Sequence, residues 1–329
     1  MKSDTMKNER INYIYKNYRI ANFMKIDRQF KSFKDLKSML NEFNLTEHYF
    51  DFIIIDNEIC QDFENYRGSI KTSGKEKIKL ELSNSSSILL INSALDLFIG
   101  NNNNNKNSID IIILELGSSS ILFNALFSSR SSITIADMSS SSSNSFSLSS
   151  SSSLLLNILS TAHQSKLNIS LNAASSSSII LNSAFLMNNA SIDSEVLAYN
   201  KGSDSSISIN SNAALFNDSK CMMKSYAELD KGAKNSISNI THKCLILNEN
   251  AHADSIPVMS VKEKDSLASH SSSIIPFNDE FAFYANTRGI SIIQAKKIEA
   301  YGLMLRGINA NKHKELLESI IKTVLKMIE

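Results

Sequence analysis

Apolar positions along the chain follow two different periods, and the change from one to the other divides it. From Asn8 to about Phe43 they recur near every 3.6 residues, at Ile11, Ile14, Tyr15 and Tyr18, then at Phe33, Leu36, Leu40 and Phe43, which predicts helices. Ser32 with Asp35 three residues on has capping-box spacing and would open the second of them. At His48 the pattern changes. Tyr49 to Ile55 is a compact aromatic and β-branched run closed by Asp56 and Asn57, which predicts the first strand.

Between about Ile78 and Ile275 short apolar triplets follow short serine runs. Ser85 to Ser87 lead into Ile88, Leu89 and Leu90; Ser118 to Ser120 into Ile121, Leu122 and Phe123; Ser151 to Ser153 into three leucines; Ser175 to Ser178 into Ile179, Ile180 and Leu181. Strict alternation appears in Ser131 to Ile135, Lys166 to Leu171 and Ser206 to Asn210. Segments of strand length, small polar residues between them and no helical period predict an all-β structure. From Leu116 to Ile192 only Arg130, Asp137 and Lys166 are charged, too few for a sheet with a solvated face. Stacked ladders of Ser, Asn and aliphatic residues fit better, as in a solenoid, although the triplets keep no strict spacing. Ser139 to Ser153, taken alone, also suits a flexible linker. Asn101 to Asn105 is expected to be a surface loop.

After Pro276 the helical period returns. Asn278 can cap a helix that runs through Phe281 and Tyr284 and stops at Gly289. Ser291 with Gln294 would cap the next, carrying Ile298, Tyr301 and Leu305 on one face, and Leu316, Leu317, Ile320, Val324 and Ile328 make a last amphipathic helix. The expected fold is therefore mostly β, a right-handed parallel β-helix over residues 78–275 between a helical region with the first strand, 1–77, and a helical tail, 276–329.

Composition narrows the function. Ser supplies 58 of 329 residues, with 9 Gly, 2 Pro and no Trp, so one repetitive architecture dominates. A net charge of +1 gives no general basic field of the kind that holds nucleic acid. Residues 1–40 carry ten Lys or Arg against four Asp or Glu, but these are interleaved with apolar residues and fit a solvated helix face. Three scattered cysteines, Cys60, Cys221 and Cys244, are the wrong number for a disulfide framework or a closed all-Cys metal site, and they fit a reducing compartment. The first ten residues are polar, and no stretch reaches the roughly 18 apolar residues of a membrane span. A cytoplasmic protein that touches neither membrane nor nucleic acid is expected.

Nucleophile-elbow, Walker, dinucleotide-binding, HExxH and CxxC motifs are all absent from the sequence. The β region is also nearly free of the paired acids that a glycoside-cleaving solenoid needs. What remains is the segment Ser225 to Ile290. It holds a KGA turn (Lys231 to Ala233), the strand LILNENA (Leu245 to Ala251), SIPVMSV with Pro257, Ser269 and His270 before a last rung, and NDEFAFYANTRGIS. In that order these pieces resemble the SufB/SufD family, the β-helical scaffolds of SUF iron-sulfur cluster assembly, and lean towards the SufD branch. Upstream, ILLINSALDLFIG and YFDFIIIDNEI resemble strands of the same family, whereas Ser139 to Asn217 resembles nothing in it.

The resemblance implies a non-enzymatic scaffold that binds no nucleotide itself, carries a transient iron-sulfur cluster, pairs with another SufB/SufD-type chain as a homo- or heterodimer, and works with the SufC ATPase docked on the C-terminal helices. Tyr301 and Leu305 would then serve the dock. His270 matches the histidine of the family's SHGA-type element, but Ser271 and Ser272 follow it in place of Gly-Ala or Glu-Ala. His242 stands near the place of the SufB branch's essential cysteine, with Cys244 two residues on, and alternation puts both on one strand face. Imidazole and thiolate suit iron-sulfur chemistry. A small buried cysteine and a satisfied histidine account for the same residues. His252, beside a turn, is expected to be solvated. A non-catalytic structural or adhesive β-solenoid, and a degenerate relative without cluster chemistry, are the competing readings.

Overall fold

A computed structural model describes residues 52–328 except 56–57, 60–68, 73–77, 82–85, 101–108, 128–129, 140 and 309–312. The helices expected between Asn8 and Phe43 and the loop at Asn101 to Asn105 lie outside the described residues. The described residues begin with β1 (Phe52–Ile55), β2 (Glu58–Ile59), β3 (Ser69–Thr72), β4 (Ile78–Glu81), β5 (Ser86–Gly100) and β6 (Ile109–Phe127). It continues through β7 (Ser131–Asp137), β8 (Ser141–Ser150), β9 (Ser153–Ser160), β10 (Gln164–Ala173), β11 (Ser178–Asn188) and β12 (Ser191–Asn200). The last strands are β13 (Ser206–Phe216), β14 (Lys220–Leu229), β15 (Ile237–Ile246), β16 (His252–Val261) and β17 (Leu267–Pro276). Three helices close it: α1 (Asp279–Thr287), α2 (Ile292–Gly307) and α3 (Lys314–Met327).

From β6 onward each strand pairs in parallel with the strand two places on. The first half of β6, then β7, β9, β11, β13, β15 and β17 form one sheet. The second half of β6, then β8, β10, β12, β14 and β16 form the other. This is a parallel solenoid with two strands to a turn, as the triplets and the missing charges predicted. Ile111, Ile133, Leu156, Leu181, Ile209 and Ile240 stand over one another in one ladder, and Phe123, Phe146, Ile169 and Val196 in the facing one. All are buried between the sheets. Their continuous stack is the main core, and each aliphatic side chain in it contributes roughly 1.5–3 kcal/mol relative to exposure.

No strict repeat is visible in the sequence because the corners lengthen while the strands stay in register. Side chains that hydrogen-bond across successive turns are 23 residues apart at Ser142 and Ser165, 25 at Asn157 and Asn182, 28 at Asn182 and Asn210, and 31 at Ser205 and Ser236. Left-handed residues stack at these corners: Ser176, Asp204 and Asn235 at one, Asn189 and Asn217 at another. Asn and Asp enter that conformation most readily among residues with a side chain, which gives the Asn-rich composition a backbone role.

The shortage of charge has two structural causes. Strands β10 and β12 alternate buried and open positions, but β11 and β13 are buried on both faces over their second halves. There the outer residues Ala184, Leu186, Ala214 and Phe216 form a second core with Met304, Leu316, Leu317, Ile320 and Val324 of α2 and α3. Elsewhere on that outer face amide ladders take over, with Asn182 donating to Asn157 and Asn210 to Asn182, each at 3.0 Å. The caps are those expected: Asn278 Oδ1 accepts from the Glu280 and Phe281 amides, and Ser291 with Gln294 forms a capping box. Far along the chain, His313 Nε2 lies 3.0 Å from Asp110 Oδ2, both buried, and this pair fastens the start of α3 to β6. Among the described residues no helix is long and apolar enough to cross a membrane.

Within the serine run after Asp137, residues Ser141–Ser150 form strand β8. Asp137 is 2% exposed and accepts from the hydroxyls of Ser139 at 2.6 Å, Ser142 at 2.8 Å and Ser160 at 2.9 Å, and from the Ser139 amide at 3.1 Å. Ser165 Oγ of β10 lies 3.3 Å from the same carboxylate, which thus gathers serines from four places, the residues just after β7 and strands β8, β9 and β10, so the serines stand where they do to satisfy it. Replacing Asp137 with Ala orphans three buried hydroxyls and is expected to lower stability by about 3 kcal/mol. Urea denaturation of the full chain checks this, and an unchanged midpoint would show that the network carries no stability.

Candidate functional site

The solenoid ends in an open turn. Among the described residues β16 pairs only with β14, and β17 only with β15, so one edge of each strand carries free backbone donors and acceptors. Positions that are core in every earlier turn become surface here. The aliphatic ladder through Ile209 and Ile240 continues in register to His270, which is exposed, whereas Ile240 is 1% exposed. Leu267, Ile274, Ile275, Val258 and Val261 are exposed around it, Leu267 at 68%. An exposed apolar edge of two sheets is a surface built for pairing.

His242 and Cys244 share one face of β15, as alternation predicts, but that face is the inside of the solenoid. His242 is 1% exposed, and both ring nitrogens are engaged, Nε2 with Ser225 Oγ at 2.8 Å and Nδ1 with Ser255 Oγ at 2.8 Å. Burial pushes its pKa down to about 4, so the ring is neutral at physiological pH. Cys244 is 1% exposed, and burial pushes its thiol up to about 12; the buried thiol of Cys221 is raised by the same cause. Thiolate is the form that binds metal or attacks sulfur, and neither cysteine offers it here. Among the described residues no group of three or more His, Cys, Asp or Glu is placed to hold a metal ion.

The three candidate residues therefore sit in two different environments. His270 lies on the open turn; His242 and Cys244 lie one turn below it, beneath Ser272 and Ile274. His252 is solvated and pairs with Asp254 at 3.3 Å. Ser225, Ser255 and Ser272 were not distinguished in the sequence from the many other serines. Only the register between turns singles them out, because it aims Ser225 and Ser255 at one imidazole and Ser272 at Ser255.

On the helical side, Tyr301 and Leu305 are half-buried against the core beneath α2 and α3. The Tyr301 hydroxyl donates to Glu318 at 3.4 Å, and the Lys322 ammonium lies 5.7 Å from the ring centre. Both residues thus serve the packing of α2. The large apolar residues exposed on the three helices are Phe283 and Tyr284 of α1, Ile292 and Ile298 of α2 and Met327 of α3, with Phe283 at 74% exposure and the Arg288 guanidinium over the Tyr284 ring at 5.1 Å.

Residues 83–317 match the family model described as SUF system FeS cluster assembly, SufBD core domain. No curated protein matches the chain.

The buried imidazole makes a pH prediction. Its folded pKa of about 4 is below the ordinary histidine value of 6.5, so between these values the unfolded chain binds a proton that the folded chain excludes. The stability this histidine confers is complete above pH 6.5 and falls as the pH drops towards 4. Between pH 7.5 and 5 the loss is about 2 kcal/mol. Urea midpoints of the wild type and His242→Gln at the two pH values check it: the variant lacks this component of the slope, and equal slopes would refute it.

Proposed function

The chain belongs to the family of SUF iron-sulfur cluster assembly proteins that carry the SufBD core domain, and on that footing we propose that it is a scaffold subunit and no catalyst, on whose open turn a transient cluster is assembled. The single observation that carries this reading is the exposed turn with His270 at the end of an otherwise aliphatic ladder. A ladder built only to close the core would end on an apolar or capped residue. An imidazole there supplies a borderline nitrogen ligand at the one place where a second chain extends both sheets. The partner we propose is another SufB/SufD-type chain, paired edge to edge through β16 and β17. This chain takes the SufD-type role, consistent with the buried and protonated state of its two described thiols, which leaves sulfur chemistry to the partner.

The energy source is a SufC-type ATPase, held by the outward aromatic face of α1 and α2. Phe283 and Tyr284, both exposed, suit that contact beside the half-buried Tyr301 and Leu305. No nucleotide is bound by the chain itself in this scheme. A second reading, a relative that keeps the fold and partners while all cluster ligands lie on the partner, is favoured by the burial of His242 and Cys244.

Anaerobic reconstitution with ferrous iron and sulfide in the presence of the partner chains separates these readings. His270→Gln is expected to cut cluster absorbance by about tenfold with unchanged melting, as loss of a metal ligand commonly does. Equal absorbance would place the ligands on the partner. The two interfaces are tested by co-purification. Ile274→Asp, which puts a charge on the open edge, should lose the SufB/SufD-type chain and keep the ATPase, and Phe283→Asp should do the reverse. Retention of both partners by both variants would exclude these contact faces.

A further inference from the structure

Above the buried imidazole runs a hydrogen-bonded chain that the proposed cluster site does not yet use. Ser272 Oγ donates to Ser255 Oγ at 2.7 Å, Ser255 Oγ lies 2.8 Å from His242 Nδ1, and His242 Nε2 lies 2.8 Å from Ser225 Oγ. The four groups come from β17, β16, β15 and β14, so the chain zigzags between the facing sheets from the open turn into the interior. Ser225 is 2% exposed and His242 1%, whereas Ser272 is exposed.

One assignment of the protons uses every hydroxyl hydrogen of the row. In it Ser255 accepts from Ser272 and gives its own hydrogen to Nδ1, the lone pair 2.8 Å away. A neutral ring with Nδ1 unprotonated carries its hydrogen on Nε2 and donates it to Ser225. Every donor in the row then points inward. The result at the surface is that the Ser272 hydrogen is engaged by Ser255, which leaves the exposed Ser272 oxygen to act as an acceptor. Ser272 and His270 are two residues apart on β17 and project from the same face of the strand.

We propose that His242 is a positioning residue for the open-turn site: acting through Ser255, it holds Ser272 as an outward-facing oxygen acceptor beside His270, and the two together receive ferrous iron delivered as substrate. This inference rests on the cluster-scaffold reading and adds to it a second donor atom and the residue that orients it. The chemistry is consistent, since a neutral hydroxyl oxygen and an imidazole nitrogen are both donors that divalent iron accepts. Partners behind a ligand that fix its orientation commonly change metal affinity by 10–100-fold.

The test uses the full chain and ferrous iron alone, titrated anaerobically, with the wild type, Ser272→Ala, Ser255→Ala, His242→Gln and His270→Gln. Ser255→Ala keeps the strand geometry and removes only the link, so it covers the case in which His242→Gln folds poorly. Ser272→Ala and Ser255→Ala are each expected to weaken iron binding about tenfold. The double variant should be no weaker than Ser272→Ala by itself, since both changes remove the same oriented oxygen. In parallel, long-range proton-nitrogen spectra of histidine-labelled protein should show His242 neutral at pH 7, with the hydrogen on Nε2, and Ser255→Ala should move the Nδ1 resonance. A hydrogen on Nδ1 overturns the proposal. So does full iron affinity in Ser255→Ala and Ser272→Ala while His270→Gln loses it, an outcome that leaves the scaffold reading standing. A wild type that binds no iron at all also overturns the proposal, while the scaffold reading is decided by the reconstitution with the partner chains.

Discussion

Everything in this molecule depends on parallel strands stacking in register, so that each inward side chain has a like-placed neighbour one turn above and one below. The backbone hydrogen bonds of a turn are made almost wholly to other turns, and a single turn buries nothing by itself. Apolar ladders such as Ile111 to Ile240 arise because a position that faces inward once faces inward in every turn. The same rule controls polar residues. A buried Ser or Asn is tolerated when its neighbour in the next turn completes its hydrogen bonds, as in the row from Asn157 through Asn182 to Asn210.

Register also explains how the fold manages with so little charge. One sheet carries a second layer of α2 and α3 over part of its outer face, and Asp110 with His313 ties that layer back to β6. A protein of two strands to a turn is held together by neighbour contacts, whereas this pair joins residues 203 apart and gives the tail a fixed anchor.

The last turn is where the rule stops applying, and the site follows from that. Positions committed to the core in all earlier turns have no successor at β17, so whatever the sequence places there becomes surface. His270 occupies such a position. One turn lower an imidazole is buried, neutral and hydrogen-bonded at both nitrogens, so of two histidines on adjacent strands of one sheet one is enclosed and the other open to solvent because of a single turn of burial.

Local periodicity was enough to read the strand-rich middle, the helical tail with its caps at Asn278 and Ser291, and the spread of the core over the triplets, since each depends on residues within about four positions. The family resemblance near the C-terminus was legible for a similar reason, being carried by short contiguous motifs. Which serines matter was not legible. Ser272 and Ser271 look alike in the sequence, and Asp137 gives no sign that it gathers Ser139, Ser142, Ser160 and Ser165. The burial of Cys244 and His242 was likewise open, because alternation assigns two residues to one face without saying which face is the inside. Those questions were decided by register between residues 23 to 31 apart, set by corners of unequal length. Stacking energy is shared by all turns and fixes that register only when the whole ladder forms, so no stretch of the chain carries it alone.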